Sequence, residues 1–370
     1  MLNNYCLKLD KYFSFFLLVS FGLIILILVA QSTKIALGQT TIPTISTRNH
    51  FNLDTGELQS GQTPTGYVAI HIPGLQAGTA CPPEIAIYTH GIWVGSNSNS
   101  LENPEEIFDR AKKSIAINNY IIPLIGFSWD SDTKILPDGT GWLTAKVIAK
   151  ENGPKLAQFI SDYKNKCQET QMRLIAHSLG ARVVLSSLES LYKNQQWNNR
   201  NFKIASVHLM GAAVDDEEVA KSPSYIIDSP SLFFDINEWY DPYGIKSAYG
   251  NAIEKEVVKF YNLFNPQDNA LQTSTLYPLF EQDDALGLLG PQSDIQPISN
   301  YLDINVQNEI PFIRDANGDG RFGGCDLRNA VRCTIDNVGD NHFGYVGFEE
   351  NGVLIDDGAM NRVVNNWKNQ

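Results

Sequence analysis

The sequence predicts an α/β fold with a mostly parallel central sheet and helices on both faces. From Gly66 onward, short apolar runs alternate with longer amphipathic stretches, a pattern typical of strands wrapped by helices. The apolar runs are rich in β-branched and aromatic residues, as strands buried on both faces are. The chain has 370 residues, 43% hydrophobic and 19% charged, which is enough apolar content for a large core. We expect one domain over residues 66–370, without internal repeats.

Six strands and three helices follow from these patterns. The predicted strands are Tyr67–Ile72, Ile85–Thr89, Ile121–Trp129, Met172–His177, Ile204–Met210 and Val257–Phe264. The predicted helices cover about residues 103–118, 143–166 and 181–193, with Pro104 at the start of the first and Gly153-Pro154 as an interruption of the second.

Three other segments break this rhythm. Residues 39–65 are rich in Thr, Ser, Gly and Pro and are predicted to be a surface lead-in. Residues 215–255 contain Ser-Pro steps and clustered aromatic side chains, which suggest a lid-like insertion. Residues 281–340 form a second, C-terminal insertion with a centre rich in Gly, Asn and Asp.

The first 38 residues have the features of an export segment. Tyr12–Ala30 is 19 residues long without a charge and follows Lys8 and Lys11. The segment is either a signal peptide, with small residues at 36–38 before Gln39, or an uncleaved N-terminal membrane anchor. In either case the positively charged N-terminus stays on the inner side of the membrane. We expect the body of the protein to be secreted or tethered to the outer face of the cell membrane.

Charge and cysteine content narrow the functional classes. The net charge of −13 argues against a nucleic-acid partner, which calls for a basic face. Four cysteines follow the export segment, and an even number in an exported chain suggests two disulfides, with three possible pairings. Four buried thiols are the alternative. Without a Cys-x-x-Cys motif or a Cys/His cluster, zinc is not expected.

The strongest local signal is the turn Ala176-His177-Ser178-Leu179-Gly180. An apolar strand precedes it and an amphipathic helix follows directly. A serine on such a sharp turn needs small neighbours two residues away on each side, here Ala176 and Gly180. The turn exposes the serine hydroxyl and brings the backbone N–H of Leu179 beside it, at a helix N-terminus that favours negative charge.

In this turn the chain resembles the α/β-hydrolase superfamily, because Ala-x-Ser-x-Gly is similar to its nucleophile elbow. The resemblance covers roughly residues 66–365 and implies the α/β-hydrolase fold. It also implies that the strand ending in His90-Gly91 leads into the oxyanion loop, with the N–H of Ile92 as the second donor beside Leu179. We interpret His90 as a structural histidine that packs this loop.

The superfamily places the acid and the base after the serine. Only His208 and His342 follow Ser178, and His208 lies within a predicted strand, so the resemblance implies that His342 is the base. Asp268 follows the strand 257–264 by a short turn and is the favoured acid, with Asp215 and Asp216 as alternatives. The catalytic residues are therefore predicted to be Ser178, His342 and Asp268. Trp93 and Trp129 either line the pocket or belong to the edge of the core.

The resemblance also bears on the cysteines. In the family, the strands that follow Cys81 and Cys167 are parallel neighbours, which favours the pair Cys81–Cys167 and leaves Cys325–Cys333.

Residues 315–326 resemble an EF-hand or dockerin-type calcium loop. The ligands would be Asp315, Asn317, Asp319, Asp326 and the backbone carbonyl of Arg321. Asp326 replaces the usual glutamate, and a Gly/Asn turn with solvated acids is the alternative. We expect a structural Ca²⁺ here and no cofactor for catalysis.

The resulting prediction is an exported serine hydrolase that acts on carboxylic esters of a small molecule or lipid, through a Ser-His-Asp triad and an acyl-enzyme. The alternative is a non-catalytic extracellular, calcium-dependent binding or cell-surface protein on a hydrolase scaffold. A complete triad discriminates between them, and the sequence order of its members favours the enzyme.

Overall fold

The computed structural model describes residues 42–97, 100, 102–134, 140–225, 246–268, 270–271, 284–295, 298–310, 340–350 and 353–370. Several predictions lie outside these residues: the export segment 1–38, the aromatic cluster within 215–255, the calcium-type loop 315–326 and the pair Cys325–Cys333. In the described ranges no helix has the length and apolar character needed to cross a membrane.

The centre of the fold is an eight-stranded sheet, which confirms the predicted α/β class. Its order is β2-β1-β4-β3-β5-β6-β7-β8, and all pairs are parallel except β1–β2. The strands are β1 Thr44–Ser46, β2 Val68–Ile70, β3 Glu84–Thr89, β4 Leu124–Ser128, β5 Gln171–His177, β6 Ile204–Met210, β7 Val257–Phe264 and β8 Tyr301–Asn305. Two short strands, β9 Phe348–Glu350 and β10 Val353–Asp356, form a separate antiparallel pair.

Helices cover both faces of this sheet. They are α1 Pro104–Ile117, α2 Thr140–Lys166, α3 Gly180–Lys193, α4 Gln195–Asn199, α5 Gly250–Glu256, α6 Leu286–Leu289, α7 Asp340–Phe343 and α8 Met360–Lys368. Alternate residues of β3 enter different cores: Ile85 and Ile87 pack in the core that includes α2 and α3, whereas Ala86 and Tyr88 pack with α1 and α8. This period of two shows why a strand buried on both faces is apolar throughout.

The predicted interruption of α2 at Gly153-Pro154 is wrong. The helix continues through both residues. A Cβ atom on Gly153 would lie 2.2 Å from the Oγ of Ser186 on α3, so glycine is needed here for close packing of the two helices. The glycine serves helix packing rather than a break in the chain.

The surface lead-in predicted for residues 39–65 is also wrong. Residues 44–46 form β1, which lies inside the sheet between β2 and β4, and Ile45 is fully buried. The carboxylate of Asp130 then accepts hydrogen bonds from the backbone N–H groups of Asn49, His50 and Phe51. A three-residue strand flanked by polar residues carries too little periodicity to be detected from the sequence.

Two strand predictions at the edges of the sheet need correction. The predicted strand Tyr67–Ile72 is reduced to β2, an exposed antiparallel edge strand. Residues 301–305, placed by the prediction in an insertion, form the opposite edge strand β8. Both edges are half-solvated, so they lack the continuous apolar character of central strands.

Candidate active site

Ser178 lies at the sharp turn between β5 and α3. Its φ of +54° is in the left-handed region that non-glycine residues rarely adopt. A Cβ atom on Gly180 would lie 2.5 Å from the carbonyl oxygen of His90, and one on Gly91 would lie 2.8 Å from the Cβ of Ser178. The two glycines therefore allow the turn and the neighbouring loop to approach each other closely.

The structure brings Ser178, His342 and Asp268 together. His342 Nε2 lies 2.9 Å from Ser178 Oγ, and His342 Nδ1 lies 2.9 and 2.8 Å from the two carboxylate oxygens of Asp268. An ionised carboxylate only accepts hydrogen bonds, so Nδ1 carries the proton. In the neutral ring Nε2 is then the acceptor for the Ser178 hydroxyl.

Asp268 lies in the turn that follows β7. The carboxylate is fully buried and accepts hydrogen bonds from the backbone N–H groups of Ala270 and Leu271. Tyr345 is buried nearby, and burial, followed by the negative charge of Asp268, raises the pKa of its phenol well above the usual value. The phenol therefore stays neutral and adds no second negative charge beside Asp268.

The other candidates for acid and base have different partners. Asp215 lies 3.3 Å from the ammonium of Lys246. His208, on β6, stacks on Tyr261 with the ring centroids 4.6 Å apart. Burial, with the positive charge of Arg173 as the smaller contribution, lowers the pKa of His208 to about 3. These residues contribute to the core and to a buried ion pair.

Of the two predicted oxyanion donors, Leu179 belongs to the serine turn and Ile92 to the loop that follows β3. Within the ranges that the structure describes, the backbone N–H groups of Ile92 and Leu179 donate no hydrogen bond to a protein acceptor. Ile92 lines the same pocket as Ser178, and Leu179 is the residue that follows the serine. Unpaired N–H groups next to a serine hydroxyl can stabilise a developing oxyanion.

His90 packs residues 90–95, which we call the oxyanion loop. It stacks on Trp129, accepts the backbone N–H of Trp129 at Nε2 and accepts the Trp129 indole N–H at its carbonyl oxygen. Burial, followed by the charge of Arg48, lowers the pKa of His90 well below the usual value, so the ring is neutral. These contacts match the structural role expected for this histidine.

Arg48 also holds the oxyanion loop in place, a role that was not predicted from the sequence. Its guanidinium donates to the carbonyl oxygen of Val94 in the oxyanion loop, to Ser128 Oγ at 2.9 Å and to Asp132 at 2.8 Å. The residue lies just after β1, in the segment expected to be a surface lead-in.

An apolar pocket opens beside Ser178 and His342. Of the two tryptophans predicted either to line the pocket or to belong to the core, Trp93 lines the pocket. Trp129 is fully buried and stacks on His90. The sequence assigned no role to the other lining side chains: Val94, Trp142, His177, Ala213, Ala270, Leu271 and Phe343. As far as the described residues line it, this pocket fits an apolar group and offers no charged partner for a ligand.

The predicted disulfide Cys81–Cys167 lies within the described residues, whereas the predicted calcium loop 315–326 does not. Cys81 and Cys167 form a disulfide, with Cα atoms 5.6 Å apart, close to the amino ends of the paired strands β3 and β5. This end of the sheet is opposite the one that carries Ser178. Among the described residues, no group of three or more His, Cys, Asp or Glu side chains could hold a metal ion.

Solved structures with similar folds include several hydrolases, all distant. The Trichoderma reesei cutinase is 17% identical over 36% of this chain and 53% of its own, with a TM-score of 0.24. The Aspergillus fumigatus lipase B is 10% identical over 72% and 48%, with a TM-score of 0.30. The metagenomic carboxyl esterase is 14% identical over 70% and 77%, with a TM-score of 0.29. Scores this low carry no argument about activity.

Sequence comparison is more specific. An uncharacterized protein of Nostoc sp. is 30% identical over 95 residues, which are 26% of this chain and 23% of that protein. The match therefore spans about a quarter of that relative's length. A family model described as an alpha/beta hydrolase of unknown function matches residues 82–300, which include Ser178 and Asp268 and end before His342. Since the model covers more than half of the sequence, this chain belongs to that family of α/β-hydrolases.

Proposed function

We propose that this protein is a serine hydrolase that cleaves carboxylic esters with Ser178, His342 and Asp268. The observation that carries the proposal is the continuous hydrogen-bonded chain from Ser178 Oγ through His342 to Asp268. The chain pairs a nucleophile with a base, and the base with a group that fixes its tautomer.

In the first step, Ser178 Oγ attacks the carbonyl carbon of the ester. Its proton passes to His342 Nε2, and the electron pair of the carbonyl bond moves to the oxygen. The N–H groups of Ile92 and Leu179 stabilise this oxyanion, and Asp268 stabilises the imidazolium.

In the second step, His342 returns the proton to the leaving alcohol as the carbon–oxygen bond breaks. This leaves an acyl group esterified to Ser178. A water molecule then attacks the acyl carbon and loses a proton to His342. As the bond between this carbon and Ser178 Oγ breaks, His342 returns the proton to Oγ, which releases the carboxylic acid and restores the serine hydroxyl.

The pocket supports a neutral, apolar acyl group as the substrate portion beside the serine. Trp93, Trp142 and Phe343 provide aromatic surface next to Ser178 and His342. A small-molecule or lipid ester fits this chemistry, because burial of a charged acyl group without a partner is costly.

Two further parts of the proposal rest on the sequence alone. Residues 1–38 direct the domain out of the cell, as a cleaved signal or as an anchor. Residues 315–326 bind a structural Ca²⁺ in the segment that leads to His342, while catalysis itself uses no cofactor. N-terminal sequencing of the exported protein and calcium titration of an Asp315→Ala variant test them.

Hydrolysis of p-nitrophenyl esters from acetate to palmitate tests the proposed reaction. We expect turnover that Ser178→Ala reduces by roughly 10⁴- to 10⁶-fold. Ser190→Ala is the matched control, because Ser190 lies on α3 and its hydroxyl bonds only to the helix carbonyl of Ser186 among the described contacts. No turnover by the folded wild type, or equal turnover by Ser178→Ala, would contradict the proposal.

A further inference from the structure

His177, the residue before the serine, packs against the segment that carries the base. We call residues 340–347 the base loop. The His177 side chain is buried, and its ring centroid lies 4.8 Å from that of His342, 6.1 Å from that of Phe343 and 5.8 Å from that of Tyr345. A single side chain of β5 therefore contacts three aromatic rings of the base loop.

His177 also bonds directly to the backbone of the base loop. Its Nε2 lies 2.6 Å from the carbonyl oxygen of His342. A carbonyl oxygen only accepts, so Nε2 carries the proton and donates it. Burial, followed by the charge of His342, lowers the pKa of His177 well below the usual value, which keeps the ring neutral.

This bond differs from the other contacts of the base loop. Ser114 Oγ donates to the carbonyl oxygen of Val346 at 2.6 Å, and the N–H of Ala359 donates to that of Tyr345 at 3.0 Å. Those bonds fix the far end of the loop. The bond from His177 fixes the peptide of His342 itself, and its donor is adjacent to Ser178 in the sequence.

The geometry points to His177 as a positioning residue: by donating its Nε2–H to the carbonyl oxygen of His342, it holds the base within hydrogen-bonding reach of Ser178 and Asp268. This inference rests on the proposed function for its catalytic consequence. Because β5 ends at His177, the elbow and the base loop are joined through one residue despite 164 residues of separation between Ser178 and His342.

Two substitutions separate the donor from the ring. His177→Phe keeps an aromatic ring against the base loop but cannot donate. His177→Gln loses the ring and keeps an N–H donor at similar reach. The same two changes at His208, a buried histidine of the neighbouring strand β6, are the matched controls.

We expect His177→Phe to lower kcat on p-nitrophenyl esters by roughly 10- to 100-fold, with KM changed by less than about threefold, because a displaced base slows the chemical step. His177→Gln should stay within about fivefold of the wild type, and both His208 variants should retain its kcat. Full activity in His177→Phe, or an equal loss in both His177 variants with native circular dichroism, would overturn the inference.

A magnetic resonance measurement on ¹⁵N-histidine-labelled wild type needs neither a variant nor turnover. It should show His177 with its proton on Nε2, and a downfield Nδ1 proton of His342 bonded to Asp268. The latter signal should persist in His177→Gln and disappear in His177→Phe. A wild-type His177 with its proton on Nδ1 would overturn the inference. Absence of ester turnover with these signals present would instead overturn the proposed function.

Discussion

The oxyanion loop and the base loop both reach Ser178, but they are held in place differently. In the oxyanion loop, Trp129 donates twice to His90, while Ser131 bonds to the backbone of both Trp93 and Val94. Arg48 adds a further bond to the carbonyl oxygen of Val94. The contacts are thus distributed over several residues of the loop.

The base loop is attached mainly at one residue, His342. Among the described residues, His342 is held at its backbone by His177 and at its side chain by Asp268 and Ser178. The oxyanion loop keeps several hydrogen bonds when one of them is lost, whereas His342 has few others to hold it. We therefore expect single substitutions on the base side to affect turnover more than those on the oxyanion side.

The largest effect is expected for Asp268→Asn. The amide cannot hold the Nδ1–H tautomer of His342 as a carboxylate does, so kcat should fall by roughly 10³- to 10⁴-fold. Steady-state ester hydrolysis measures this fall. Asp215→Asn is the matched control, because Asp215 is also fully buried after a neighbouring strand but pairs with Lys246. A larger loss of turnover in Asp215→Asn would show that Asp268 is not the acid. The attachment of His342 to Asp268 would then no longer explain the sensitivity of the base loop.

A change of pH affects three buried histidines whose pKa is lowered by burial: His90 in the oxyanion loop, His177 at the end of β5 and His208 on β6. Above pH 6.5 these rings are neutral in the folded and unfolded states. Below it the unfolded chain binds protons that the folded chain excludes, so the free energy of unfolding falls with decreasing pH. His208, which belongs to neither loop, has a folded pKa of about 3 and should alone account for about 2 kcal/mol between pH 7 and pH 5.

Urea unfolding at both pH values can separate these contributions. His208→Phe keeps the ring stack on Tyr261 and cannot be protonated, so it should lose about 2 kcal/mol less than the wild type on acidification. The loss that remains includes the contributions of His90 and His177. His71→Asn, at an exposed histidine, is the control and should lose as much as the wild type. An unchanged loss in His208→Phe would refute the assignment of acid sensitivity to buried rings.

The smallest effect is expected for Arg48→Met. The variant loses the bond to Val94 but keeps those from Trp129 and Ser131, so kcat should fall by about tenfold or less. Ester hydrolysis and urea unfolding should be measured together. Arg362→Met is the matched control, since Arg362 pairs with Glu309 on the surface. A loss as large as that of Asp268→Asn would show that the oxyanion loop depends on one contact, contrary to the comparison.

The residues of the site that were predicted from the sequence are those fixed by their immediate neighbours or by the order of the strands. The elbow at Ser178 needs small neighbours, a strand before and a helix after, all within a few residues. Asp268 and His342 follow from the order of elements in the resembling superfamily, because parallel strands present their carboxyl ends at one edge of the sheet.

The parts that the sequence did not predict depend on tertiary contacts. Arg48 lies just after β1, whose three residues carry almost no periodicity. Its partners Val94 and Ser128 lie after the end of β3 and at the end of β4. His177 bonds to a carbonyl oxygen 165 residues away, and a backbone acceptor leaves no trace in the sequence. Most central strands were predicted because they are buried on both faces. The three-residue inner strand β1 and the edge strand β8 were missed, and the edge strand β2 is shorter than predicted.

Labelling with a fluorophosphonate probe is the most direct test of the central claim that Ser178 is an activated nucleophile. The probe forms a covalent bond only with a serine whose proton a neighbouring base removes. The labelled peptide, identified by mass spectrometry, should contain Ser178, and labelling should disappear in Ser178→Ala and His342→Ala while persisting in His208→Phe. An unlabelled but folded wild-type protein, with calcium present, would contradict the account and favour a binding protein on a hydrolase scaffold.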